Sequence, residues 1–151
     1  MTIATKSIEE TVNGLIEICR DGQQGFDAAV RVIENGELKT ELREFSGRWS
    51  EFAAQLSGAM EQMGLMPHVH GSFIGAMRHG WIHLMKMVPG NTDHAVLTVC
   101  EREVSTAVED YADAIDGALP DPIATLVAKQ YETIRATHDR LCGMRDAADR
   151  H

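Results

Sequence analysis

From Ile8 onward the apolar positions Val12, Leu15, Cys19, Gly22, Phe26, Ala29 and Ile33 follow one another at alternating steps of four and three. That rhythm is the heptad seam of an amphipathic helix, whereas a half-buried strand would alternate at every second residue. Ser7 and Glu10 have capping-box spacing and set the predicted helix start. Gly22 and Gly25 leave the phase of the seam unbroken, so one helix is predicted to run to about residue 34, with Asn35-Gly36 as a left-handed stop. Leu38, Leu42, Phe45, Trp49, Phe52, Leu56, Ala59 and Met63 repeat the seam and predict a second helix over about 37–64. The link between the two is too short to do anything but reverse the chain, which makes them antiparallel neighbours. Counting outward from that turn puts Trp49 level with Gly22. An indole facing a glycine accounts for a residue that costs a helix about 1 kcal/mol in propensity.

The next stretch has a different texture. Pro67 and Gly71 interrupt it, Ser72 suits the cap of a short third helix over about 72–88, and Val88-Pro89-Gly90 ends that helix. A fourth helix is predicted over about 92–116, with Leu97, Val104, Val108, Tyr111 and Ile115 on its inner face. Gly117, Pro120, Asp121 as N-cap and Pro122 separate it from a last helix over about 122–147, whose inner face carries Ile123, Val127, Ile134 and Leu141. Two long antiparallel pairs are thus joined by a connection of more than twenty residues. The expectation is an all-α, antiparallel four-helix bundle, ferritin-like in its long crossover, with a short extra helix in that crossover and one domain over residues 1–151.

Charge narrows the partners. Acidic residues outnumber Lys and Arg by 23 to 14, for a net charge of −9, which repels phosphate backbones and anionic lipid alike. Neither nucleic acid nor a membrane is expected as a partner. No run approaches the roughly 18 apolar residues of a membrane span, and the N-terminus shows no signal-peptide pattern, which predicts a cytoplasmic protein. Cys19, Cys100 and Cys142 are odd in number, far apart and without a C-x-x-C pair, as for reduced thiols in the core or on its flank.

A bundle of this kind raises the question of a di-iron centre, which needs inward carboxylates and Glu-x-x-His on two helices. No histidine here has a glutamate three positions before it. On a helical wheel Glu17 falls opposite the seam of the first helix, Glu41 lies at the margin of the second, and Glu44 and Glu51 turn away, so no complete di-iron site is expected. Glu101 falls among Leu97, Val104 and Val108, His138 beside Ile134 and Leu141, and Gln130 near the seam centre. Glu101 lies fifteen residues before the last turn and His138 sixteen after it, so they stand at nearly one height and are expected to meet. Their bland role is an ion pair that sets register, and the chemical alternative is a metal or small-ligand site. His79 and His83, one turn apart in a Met-rich stretch, form a second candidate for a divalent or soft metal ion, against plain core filling by the methionines. No G-x-S-x-G, G-x-G-x-x-G or P-loop is present, and Arg135, Arg140, Arg145 and Arg150 share no single face. Charge pairing within the bundle is expected for these arginines.

Leu15-Ile16-Glu17, Asp21-Gly22-x-x-Gly25-Phe26, Arg78-His79-Gly80-Trp81, Cys100-Glu101-Arg102, Gln130-Tyr131 and His138-Asp139-Arg140 follow in an order and spacing that resembles a bacterial four-helix-bundle family, a domain of unknown function grouped with ferritin-like folds. The likeness spans about Ile8 to Asp146. It implies the fold and the crossover topology, with a link to stress by family context alone. Where such proteins tend to carry Gly-Glu-Asp after Cys-Glu-Arg, this chain has Glu103-Val104-Ser105, so an acidic role at the middle position does not carry over. The functional expectation is a non-enzymatic, self-associating bundle without a cofactor. Ile18 and Ile82 are expected to supply apolar surface beyond the needs of one core.

Overall fold

A computed structural model describes residues 2–67 and 92–148, with side chains from residue 8 onward. They form four helices, α1 (Thr2–Val32), α2 (Gly36–Gln62), α3 (Asp93–Asp116) and α4 (Ile123–Ala148), and no strand among the described residues. The short helix expected over 72–88 lies outside them, as do His79, His83 and Ile82.

Each helix boundary has a local cause. α1 starts upstream of Ser7, at Thr2, because extending an existing helix gains a hydrogen bond per residue and one Ser-x-x-Glu spacing does not oppose that. Asn35 is not a left-handed stop. It is the N-cap of α2, at φ −69° and ψ 121°, and its Oδ1 accepts from Leu38 N at 3.0 Å. The left-handed stop comes instead at the far end of α2. There Gly64 has φ +75°, Leu65 N donates to Met60 O at 2.8 Å, and Gly64 N donates to Glu61 O at 3.1 Å. That pair of bonds is a Schellman closure, which favours a residue without Cβ. α3 is capped by Thr92, whose side chain accepts from Ala95 N. Before α4, Asp121 Oδ1 accepts from the Thr125 amide and hydroxyl.

Hydrogen bonds between elements set the directions. Met66, just after α2, donates its N–H to Glu9 and accepts at its carbonyl from Asn13, so α2 finishes where α1 begins. Asp93 accepts from Glu34 N at 2.8 Å and Asn35 N at 3.1 Å, so α3 begins where α1 ends. α2 and α3 therefore run the same way, against α1 and α4. The points joined by residues 64–91 stand at opposite ends of the bundle. Around it the neighbours are α1 with α2, α2 with α4, α4 with α3, and α3 with α1. Arg140 of α4 grips both carboxylate oxygens of Glu41 on α2, at 2.8 and 2.5 Å, and holds that carboxyl below its usual pKa.

The core follows the seams. Every seam position of α1 from Val12 to Ala29 is buried, as is Ile33 just beyond it, and so are Leu42, Phe45, Trp49, Phe52 and Leu56 of α2. Trp49 lies over Gly22 as expected: a Cβ built on that glycine would overlap indole atoms Cε3 and Cζ3 and stand 3.2 Å from Cδ2. Phe26 meets the same indole edge-on, with centroids 5.3 Å apart. Two wheel positions on α1 need correction. Glu17 does not point outward; it is buried, at 7 % exposure, and Ile18 is buried as well. Between Val12 and Cys19 all residues but Gly14 are buried, so no single inward arc describes this stretch of α1. On α3 the buried stripe is Leu97, Cys100, Val104, Ala107, Tyr111 and Ala114. Val108 and Ile115, expected inside, fall one position off that stripe, to the flank.

Candidate functional site

Glu101 shares the flank stripe of α3 with His94, Val108 and Ile115, each seven residues from the next, and is half-buried for that reason. Its side chain is 21 % exposed, on the edge of the bundle and not in its apolar interior. α4 has the matching geometry. Ile134, Thr137, Leu141 and Met144 are buried, while His138, Cys142 and Arg145 occupy the adjacent stripe at steps of four and three. The two flanks meet along the α3–α4 groove, at the common height that the residue count predicted.

In the groove His138 Nε2 stands 3.3 Å from Glu101 Oε2, and Arg145 Nη1 donates to the other carboxylate oxygen, Oε1, at 2.6 Å. Cys142 Sγ lies 3.9 Å from the same Nε2. Glu101, His138 and Cys142 thus bring one oxygen, one nitrogen and one sulfur to within 4.8 Å of one another, the sole cluster of three such ligand atoms among the described residues. Burial and the neighbouring Glu101 carboxylate push the Cys142 thiol up in pKa, which keeps it protonated near neutrality. On the far side of the imidazole, Asp139 Oδ1 is 3.7 Å from Nδ1. Arg145 also reaches Asp146 through Nε at 3.2 Å.

Of the sequence candidates, the structure brings Glu101 and His138 together, and His79 and His83 lie outside the described residues. Gln130 belongs elsewhere, in a polar chain that crosses all four helices, from the buried Cys19 to the exposed Gln55. Tyr111 Oη donates to Gln130 Oε1 at 2.8 Å, and Gln130 Nε2 donates to Phe52 O at 3.3 Å and Gln55 Oε1 at 3.1 Å. Cys19 Sγ lies 3.1 Å from Tyr111 Oη. Because the tyrosine spends its one hydrogen on Gln130, the thiol is the donor there. Burial pushes Cys19 up to about 12 and Tyr111 well above its ordinary 10.0, so both keep the protons this chain needs. Glu17 joins no three-ligand cluster among the described residues.

Cys142 is the site residue that sequence reasoning missed, whereas Arg145 makes the charge pairing within the bundle expected of it. The signal for Cys142 was present: His138-x-x-x-Cys142 is i,i+4 spacing on one helix face. A search confined to Glu-x-x-His and C-x-x-C does not register it, and nothing in the sequence says which flank of α3 meets α4.

No helix among the described residues is long and apolar enough to cross a membrane. No curated protein matches this chain. The family described as a domain of unknown function (DUF2383) matches residues 7–117, which takes in most of α1, all of α2 and α3, and Glu101, but ends before His138 and Cys142 on α4. With most of its length covered by that match, the chain belongs to the DUF2383 family.

Proposed function

We propose that this protein works without catalysing a reaction, as a self-associating helical bundle of ferritin-like topology that lacks a di-iron centre. The observation that carries the reading is the use made of the interior. At the level where all four helices meet, the buried polar groups Cys19, Tyr111 and Gln130 bond one another, the Phe52 carbonyl and, at the edge of the bundle, the exposed Gln55. A di-iron site would need carboxylates and Glu-x-x-His pairs converging there. Support for the ferritin-like topology comes from the placement of the α2 end and the α3 start at opposite ends of the bundle, a separation that requires one long crossover. Support for association is the exposure of Met66, at 71 %, with Ile115, both at the end where α2 and α3 finish.

Two measurements test this reading. Oxygen uptake in the presence of ferrous iron should stay at the rate of protein-free buffer, and rapid uptake with two tightly bound irons per chain would overturn the non-enzymatic assignment. Sedimentation at high micromolar concentration should show a dimer or larger species that Met66→Glu weakens; a monomer throughout removes self-association.

A further inference from the structure

The geometry points to a binding site for one divalent, thiophilic transition-metal ion of the zinc class, held by Glu101 from α3 and by His138 and Cys142 from α4. This goes beyond the non-catalytic reading and does not rest on it.

The spacing of the donor atoms carries the inference. A tetrahedral zinc ion with bonds of about 2.0 Å to oxygen, 2.05 Å to nitrogen and 2.3 Å to sulfur sets its oxygen and nitrogen ligands about 3.3 Å apart and nitrogen and sulfur about 3.5 Å apart. His138 Nε2 and Glu101 Oε2 are 3.3 Å apart, and Nε2 and Cys142 Sγ 3.9 Å. The first separation needs no change. The second closes by a few tenths of an ångström through a small torsion of the cysteine side chain. The carboxylate oxygen and the sulfur lie within 4.8 Å of each other, and binding would draw them in toward the roughly 3.5 Å of a tetrahedral ion.

The surroundings suit an ion bound in this way. Arg145 occupies Glu101 Oε1 alone, which orients the carboxylate and leaves Oε2 for a single bond to metal. The Asp139 carboxylate lies on the Nδ1 side of the ring, 3.7 Å away, placed to accept from Nδ1–H once Nε2 binds the ion. Glu101 and a Cys142 thiolate together carry two negative charges, equal and opposite to the ion, and the thiol proton leaves to solvent as the sulfur–metal bond forms. Sulfur and imidazole donors disfavour magnesium and calcium, which take oxygen ligands. Three protein ligands leave the fourth tetrahedral position open to water.

Cobalt(II) is the direct probe, because its bond to a thiolate gives a charge-transfer absorption that a carboxylate or imidazole alone does not. Metal-free protein titrated with Co²⁺ should develop this band at one ion per chain, and one equivalent of Zn²⁺ should bleach it. Cys142→Ser should abolish the band, Glu101→Gln should weaken Co²⁺ binding at least tenfold, and Cys100→Ser should leave both unchanged. A second readout needs no variant. Cys19 and Cys100 are buried, so iodoacetamide should alkylate Cys142 first, and one equivalent of Zn²⁺ should slow that reaction at least tenfold. Absence of the band, its survival in Cys142→Ser, or alkylation at an unchanged rate with zinc present would each overturn the site.

Discussion

At Gly22 two residue-scale terms of opposite sign compete, and the structure says which wins. Alanine there would gain about 1 kcal/mol of helix propensity. Its Cβ, however, would fall on ring atoms of Trp49, and that indole is fully buried and held edge-on by Phe26. Overpacking of this kind costs about 1–3 kcal/mol, so Gly22→Ala should lower stability in urea melts and Gly22→Leu should lower it further. Trp49→Ala should cost about 3–5 kcal/mol through the cavity it leaves. The coupling gives the sharper check. In a Trp49→Ala background the clash is gone, and Gly22→Ala should become stabilising; if it is equally harmful in both backgrounds, the indole is not the cause.

The helices as elements are decided at their ends and by their phase. Asp93 is the first residue of α3, yet its carboxylate takes the amides of Glu34 and Asn35 and so ties the start of one hairpin to the turn of the other. Carboxylate bonds to amides are the stronger kind, and partial exposure reduces them here. Asp93→Ala should therefore cost about 1–2 kcal/mol in equilibrium unfolding, and Asp93→Asn, which keeps one acceptor, should recover part of it. A neutral Asp93→Ala would mean that the turn amides are equally well served by water. Phase matters more for chemistry. A shift of one residue on α3 exchanges Cys100 for Glu101 at the core face, and the same shift on α4 exchanges Thr137 for His138. The ion-pair groove exists because both helices turn these polar residues to the flank, where carboxylate and imidazole stay partly solvated.

For the whole molecule, the buried thiols and phenol predict how stability depends on pH. Cys19, Cys100 and Tyr111 are raised in the folded protein, chiefly by burial, from ordinary values of 9.0, 9.0 and 10.0. Their stabilising contribution is complete below pH 9. Above that, the unfolded chain sheds protons that the folded chain keeps, and each such group costs about 1.4 kcal/mol per pH unit until its folded form also ionises. Denaturation midpoints should be flat in these groups up to about pH 9 and fall steeply toward pH 11. Cys19→Ala with Cys100→Ala should shallow that fall. An unchanged slope in the double variant would place the alkaline sensitivity elsewhere.

Much of this was legible in the chain itself. The heptad seams, the short Asn-Gly link and the residue counts on either side of each turn predict four long helices, the Trp49–Gly22 pair and the common height of Glu101 and His138. They do so because helix geometry is local, with a constant rise and rotation per residue. A wheel assumes a single buried arc, and α1 buries Glu17 outside that arc and Ile18 at its edge. Asn35 caps the next helix through its own side chain, which accepts from Leu38 N, a local choice that helical periodicity alone does not make. The partners of Glu101 depended on which flank of α3 faces α4, a matter of packing between helices that no periodicity encodes. Periodicity determined the elements, and the contacts between them decided that Cys142 and Arg145 complete the groove.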